Sequence, residues 1–161
     1  MKIYTIGHSN RSFEDFLDVL KSFNIQQVID VRRFPTSKKH PWFSKEILEE
    51  GLARNGIKYV HFPELGGFRK EGYRNFAKSE EFSKAVKKLI EIIDGRTSVI
   101  MCSEFKWWKC HRKYIANFLS KSGHRIIHIF TKEKTQVHNP LDQLIREKMK
   151  TTIYCDKVRS S

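Results

Sequence analysis

The sequence predicts an α/β fold: a single Rossmann-like, three-layer domain over residues 1–161, with a mostly parallel sheet of five or six strands. Two observations predict it. Short runs rich in Val, Ile, Tyr and Phe alternate with longer segments whose apolar residues recur every three or four positions. Such alternation marks βα units, whose crossovers make the strands parallel and place helices on both faces. The chain, at 161 residues, is also the right size for one core rather than two.

Residues 2–6 alternate in the manner of a strand, and Gly7-His8-Ser9-Asn10 turns the chain into a helix over 12–23, with Phe13, Phe16, Leu17, Leu20 and Phe23 at helical spacing. A short buried strand at 28–31 carries Asp30 and delivers Arg32 beyond its end. The next stretch, 32–43, holds basic residues, two prolines and Phe34, Trp42 and Phe43, so it reads as an exposed loop. Ser44 looks like the cap of a second helix that Gly56 ends, and 57–62 is a third strand running into Gly66-Gly67. Phe82, Val86, Leu89, Ile90 and Ile93 define a further helix. A strand at 98–101 then leads through Cys102-Ser103-Glu104 to a helix starting at Trp108 or Cys110, and 125–130 is a fifth strand. A last helix is expected from Asn139 or Asp142 to Met149, and an edge strand over 152–155.

Composition narrows the function classes. Hydrophobic residues make up 39% and aromatic residues 12%, too many for a disordered chain. No apolar run approaches the ~20 residues that cross a bilayer, and the opening residues lack the pattern of a signal peptide, so a cytoplasmic protein with no membrane partner is expected. Its three cysteines would then be free thiols, metal ligands or reagents. The 31 Lys and Arg against 18 acidic residues, a net +13, point to a polyanion. The expected partner is nucleic acid, DNA ahead of RNA.

In a parallel sheet the carboxyl ends of the strands share one edge, where ligands bind. That edge would collect His8, Ser9 and Asn10; Asp30, Arg32 and Arg33; Glu64, Gly66 and Gly67; and Cys102, Glu104, Cys110, His111 and Arg112. On Ile6-Gly7-His8-Ser9-Asn10, Asp30-Val31-Arg32 with Pro35, Tyr59 with Leu65-Gly66-Gly67, and Met101-Cys102-Ser103-Glu104 followed by Cys110-His111-Arg112, the sequence resembles the DUF488 family. The resemblance implies a compact Rossmann-like domain with an unassigned activity at those motifs.

Several residue types there carry chemistry. Asp30 and Glu104 are the candidate catalytic carboxylates, each with a rival reading as an ion-pair anchor. Arg32, Arg33 and Arg112 suit phosphate, being planar, charged and bidentate. His8, Ser9, Asn10, Gly66, Gly67 and His111 are candidate substrate contacts, and Trp107 and Trp108 candidate base-stacking rings, one of them expected in the core. Cys102 and Cys110 with His111 are weak metal candidates, since zinc prefers closer cysteines and four ligands, which His8, His61 or His128 would have to complete. They could equally be a redox pair, a thiolate nucleophile at Cys110, or, for Cys102, a buried apolar group.

From these features the expected function is nucleic-acid processing without a cofactor: N-glycosidic bond cleavage at a carboxylate-centred site, with phosphodiester hydrolysis second. A non-catalytic nucleic-acid-binding module and a cysteine-based redox or metal-binding protein are the alternatives.

Overall fold

A computed structural model describes residues 1–141. Its elements are β1 (Lys2–Gly7), α1 (Phe13–Ser22), β2 (Gln27–Asp30), α2 (Lys45–Ala53), β3 (Lys58–His61), α3 (Tyr73–Phe76), α4 (Glu80–Ile93), β4 (Ser98–Cys102), α5 (Arg112–Lys121), β5 (Arg125–Thr131) and β6 (Lys134–Val137). Single 3₁₀ turns at Pro41–Phe43, Pro63–Leu65 and Trp107–Lys109 lie in the connections.

The strands form one six-stranded sheet in the order β3-β2-β4-β1-β5-β6. All pairings are parallel except that of β6 with β5. The α/β, mostly parallel architecture that the sequence predicts is therefore the one observed. The sixth strand differs, because Lys134–Val137 is polar and exposed and carries no apolar alternation. Asn139 accepts from the Leu141 backbone N–H at the expected start of the last helix. The remainder of that helix, the edge strand expected at 152–155, and Cys155 lie outside the described residues.

Two cores, one on each face, follow from the period-two pleat of the strands. Ile3, Ile29, Val31, Ile100, Cys102 and Ile126 face α4 and α5. Tyr4, Ile6, Val28, Val99, Met101 and Ile129 face α1 and α2. Each helix forms for local reasons as well. In α1 the Ser12 hydroxyl accepts from the Asp15 N–H, and Glu14 and Asp15 complement the positive end of the helix dipole. In α4 Ser79 does the same for Phe82, while Val86, Leu89 and Ile93 bury a continuous stripe. Ser44 precedes α2 as expected, but its side chain accepts from Ser37 in the preceding loop instead of capping the helix. Among the described residues no helix is long and apolar enough to cross a membrane.

The strand order fixes where a ligand can sit. From β1 the chain crosses over β4 to reach β2, on the α1 face; from β4 it crosses over β1 to reach β5, on the α5 face. Two neighbouring strands that send their connections in opposite directions leave a crevice beyond their carboxyl ends. Here those strands are β1 and β4, and the crevice is bounded by His8 on one side and Cys102 to Glu104 on the other.

Candidate functional site

A cavity of about 420 Å³ opens at this crevice. His8, Arg32, Arg33, Gly67, Cys102, Glu104, Cys110 and His111 line it, as the convergence of strand ends predicts. Its two innermost walls are zipped together, the His8 N–H donating to the Cys102 carbonyl at 2.8 Å and the Ser9 N–H to Ser103 at 3.0 Å. Gly7 makes this possible, since a Cβ there would collide with the Glu104 carbonyl group.

One wall is built on a buried ion pair. Asp30 has no solvent exposure and receives four donors. Its Oδ1 accepts from the Arg32 N–H at 3.0 Å and Arg32 Nε at 2.9 Å, and its Oδ2 from Arg32 NH2 at 2.7 Å and the Tyr59 hydroxyl. Arg32 NH2 also donates to the Phe43 carbonyl, and NH1 lies 3.3 Å from His8 Nε2. His8 Nδ1 is 2.9 Å from the Ser9 carbonyl, which can only accept, so the proton sits on Nδ1 and Nε2 is free to accept from Arg32. Burial, reinforced by Arg32, lowers the His8 pKa to about 4, so the ring is neutral at pH 7; its stacking on Phe43 at 4.2 Å fixes its plane. Burial and the Asp30 charge together push the Tyr59 hydroxyl well above the ordinary range, so it remains a donor.

The other wall carries the thiols. Cys102 and Cys110 are both buried and free, with their sulfurs 2.6 Å apart. Burial, and the hydrogen bond to Cys110, push the Cys102 thiol far up. Burial acts on Cys110 in the same sense, but donation from Cys102 and from His111, whose Nδ1 is 3.7 Å away, together with the positive charge of Arg112, outweighs it and holds that thiol well below its ordinary range. Within the pair Cys102 is therefore the donor, and Cys110 is the thiol held down. Helix α5 begins at Arg112, two residues later than the thiol, yet the Arg112 N–H still points to Cys110 Sγ at 3.5 Å.

Behind this wall runs a chain of buried polar groups. Arg112 NH2 donates to the Glu104 carbonyl and NH1 to Thr5 Oγ1 at 3.2 Å. Thr5 Oγ1 meets His128 Nδ1 at 2.6 Å, His128 Nε2 meets His138 Nδ1 at 2.9 Å, and His138 Nε2 meets Asn117 Oδ1 at 2.6 Å. An amide oxygen only accepts, so His138 donates to it, His128 donates to His138, and Thr5 donates to His128. Every link is satisfied with both rings neutral, in keeping with burial lowering the His128 pKa well below its ordinary value.

The remaining candidates are placed elsewhere. Asp30 faces the α1 and α2 side of the sheet, opposite the thiols, because its neighbour in register is Met101 rather than Cys102. Arg112 is almost wholly buried behind the cavity wall, where its loop and strand partners hold it. Trp107 is completely buried and stacks on His128 at 4.5 Å, making it the core member of the tryptophan pair; Trp108 packs on Trp107 and Phe130. Ser9, Asn10, Gly66 and Trp108 are not among the cavity-lining residues. Gly66 instead lets its loop lie against Arg33, whose Cα would be 2.8 Å from an added Cβ. Among the described residues no group of three or more His, Cys, Asp or Glu is arranged to hold a metal ion, so His8, His61 and His128 do not complete a set with the cysteines. The cavity also recruits Phe68, Tyr73 and Lys109, which sequence reasoning misses. Tyr73 sits in a four-residue helix with no periodic signal, its hydroxyl tied to the Leu65 carbonyl at 2.8 Å.

The family model described as "Domain of unknown function DUF488" matches residues 12–119. The chain belongs to the DUF488 family. Comparison with curated proteins and with solved structures gives no match. The DUF488 match contains Asp30, Arg32, Glu104 and the thiol loop, and begins beyond His8.

Proposed function

We propose that this DUF488 protein is a thiol-dependent enzyme, with Cys110 as nucleophile and Cys102 as the thiol that resolves its adduct. The observation that carries the reading is the direct contact of the two free sulfurs on the wall of a cavity lined by Arg32, Arg33 and Lys109. Two unlinked thiols in contact are a two-electron donor. The Cys110 thiolate attacks an electrophilic sulfur of a substrate disulfide, forming a mixed disulfide and expelling one thiolate, which takes up a proton. Cys102 then gives up its proton and attacks Cys110 Sγ, closing a Cys102–Cys110 disulfide and releasing the second substrate thiol. The net change is one substrate disulfide reduced to two thiols and one protein dithiol oxidised; an external dithiol returns the protein to its starting state. The basic lining selects a small anionic substrate.

The pH dependence of alkylation by iodoacetamide, read at each cysteine by peptide mapping, tests this reading. Cys110 is expected to react far below the pH at which an ordinary thiol does, and mild oxidation to link it to Cys102. An ordinary profile for Cys110, or earlier reaction at Cys102, would defeat it.

Glycosidic cleavage is the second reading, and one observation favours it: the exposed Glu104 side chain lines the same cavity. In this form Glu104 is the acid or base, and Asp30 contributes only by holding Arg32. Release of a base from oligonucleotides bearing damaged or deaminated positions, lost in Glu104→Gln and retained in the double Cys→Ser variant, would favour it over thiol chemistry.

A further inference from the structure

We infer that the mouth of the cavity is a nucleotide site, in which Phe34 and Phe68 contact a planar base while Arg32, Arg33 and Lys109 hold its phosphate. The inference goes beyond the thiol reading: a nucleotide carries no disulfide, and it would occupy the mouth of the same cavity as a ligand in its own right. Phe34 is 61% exposed and Phe68 81% exposed, although both belong to the cavity lining. They come from different loops, one after β2 and one after β3, yet their rings meet with centroids 5.7 Å apart.

Arg33 ties the two loops together. Its guanidinium lies 5.7 Å over the Phe34 ring and donates to the Phe68 carbonyl. Phe68 also takes a left-handed backbone, φ +59°, a conformation unfavourable for a bulky side chain. Two phenyl groups held in water at a cavity mouth, inclined by 47° to each other, offer apolar ring faces to a base, and stacking on either accepts any base.

Charge and size identify the occupant. Behind the rings, Arg32 reaches the cavity, and Arg33 and Lys109 add further donors to the lining. Glu104 is the one carboxylate in the lining, and Arg33 and Lys109 are its cations without a buried counterion. A cavity of about 420 Å³ suits a mononucleotide unit and not a duplex. An apolar protein partner would need a larger patch than two rings. The mononucleotide unit could be free or the 5′-phosphorylated end of a single strand.

Calorimetric titration of the full chain decides this. The ligands are the four nucleoside monophosphates, inorganic phosphate, the four nucleosides, and a short single strand with and without a 5′-phosphate. The tightest monophosphate is expected to bind at least tenfold more tightly than phosphate or its own nucleoside. Phe34→Ala and Phe68→Ala should each weaken it about fivefold or more, leaving phosphate binding unchanged. Both rings are exposed, so the variants should melt like the wild type; a phenyl restored at each position as Tyr should recover the affinity. Equal binding of phosphate and every monophosphate, or no loss on removing the rings, overturns the inference. A phosphorylated strand that outcompetes the monophosphate assigns the site to strand ends; the reverse order assigns it to free nucleotide. The wild type separates the two proposals: a nucleotide preference alongside an ordinary Cys110 alkylation profile sinks only the thiol reading. A depressed Cys110 profile with no nucleotide preference sinks only the nucleotide site.

Discussion

Gly7 and Glu104 are in backbone contact so close that no Cβ fits between them. This contact closes the crevice between β1 and β4 and sets the height of the thiol loop above the sheet. Gly7→Ala must push that loop away, and the expected cost is about 2–4 kcal/mol, in the range of overpacked or strained core positions. Urea denaturation measures the loss, and Cys110 alkylation should move toward ordinary thiol behaviour in the same variant.

The Asp30–Arg32 pair has 0% and 7% side-chain exposure, so breaking it leaves a buried charge unmatched. Asp30→Asn should therefore destabilise the fold by about 3–5 kcal/mol. Tyr59→Phe removes one donor to the same carboxylate and should cost about 1–3 kcal/mol. Denaturant midpoints for the two variants check the ranking, and equal losses would argue against it.

His8 gives stability a definite pH dependence. Its folded pKa of about 4 lies below the ordinary 6.5, so between those values the unfolded chain binds more protons than the folded one. Stability should fall as pH drops from about 6.5 to about 4, by an amount on the order of 3 kcal/mol from this group. His128, lowered in the same direction, steepens the loss, because a proton on it turns the acceptor facing Thr5 into a second donor. Urea midpoints across this range should show a shallower slope in His8→Gln than in the wild type.

Thr5 is the acceptor that orients Arg112 NH1. Thr5→Val keeps its volume but leaves that N–H and His128 Nδ1 without their bond. Arg112 is then held less firmly behind Cys110, and the alkylation midpoint of Cys110 should rise by at least a few tenths of a pH unit, with His138→Phe giving a smaller rise in the same direction. An unchanged midpoint in Thr5→Val would detach the polar chain from the thiol.

Much of this site is legible from strand ends alone. Once the strands are parallel, His8, Arg32, Glu104, Cys102 and Cys110 must share an edge, and they do. The face a residue takes is less legible. Asp30 stands at the right height but on the face opposite Cys102, which depends on the β2–β4 register that no single strand reveals. One ring of the Trp107–Trp108 pair is expected in the core, but which one depends on His128, far along the chain, which offers Trp107 a stacking partner. Phe68 and Tyr73 come from irregular segments, where neither helical nor alternating spacing predicts direction. Lys134–Val137 is held by backbone pairing to β5, a force to which side-chain patterning is blind.

The strand order has a consequence for how the domain can be divided. The family match covers residues 12–119, but β1 lies between β4 and β5, and it supplies Thr5, Gly7 and His8 from before that stretch. His128 and His138, from beyond it, complete the support for Arg112. A fragment trimmed to the matched residues would keep both thiols and the buried ion pair while losing a central strand and one wall of the cavity. Its cysteines, eight residues apart, would lose the β1 backbone contacts to Cys102 and Ser103 that close the crevice beside them.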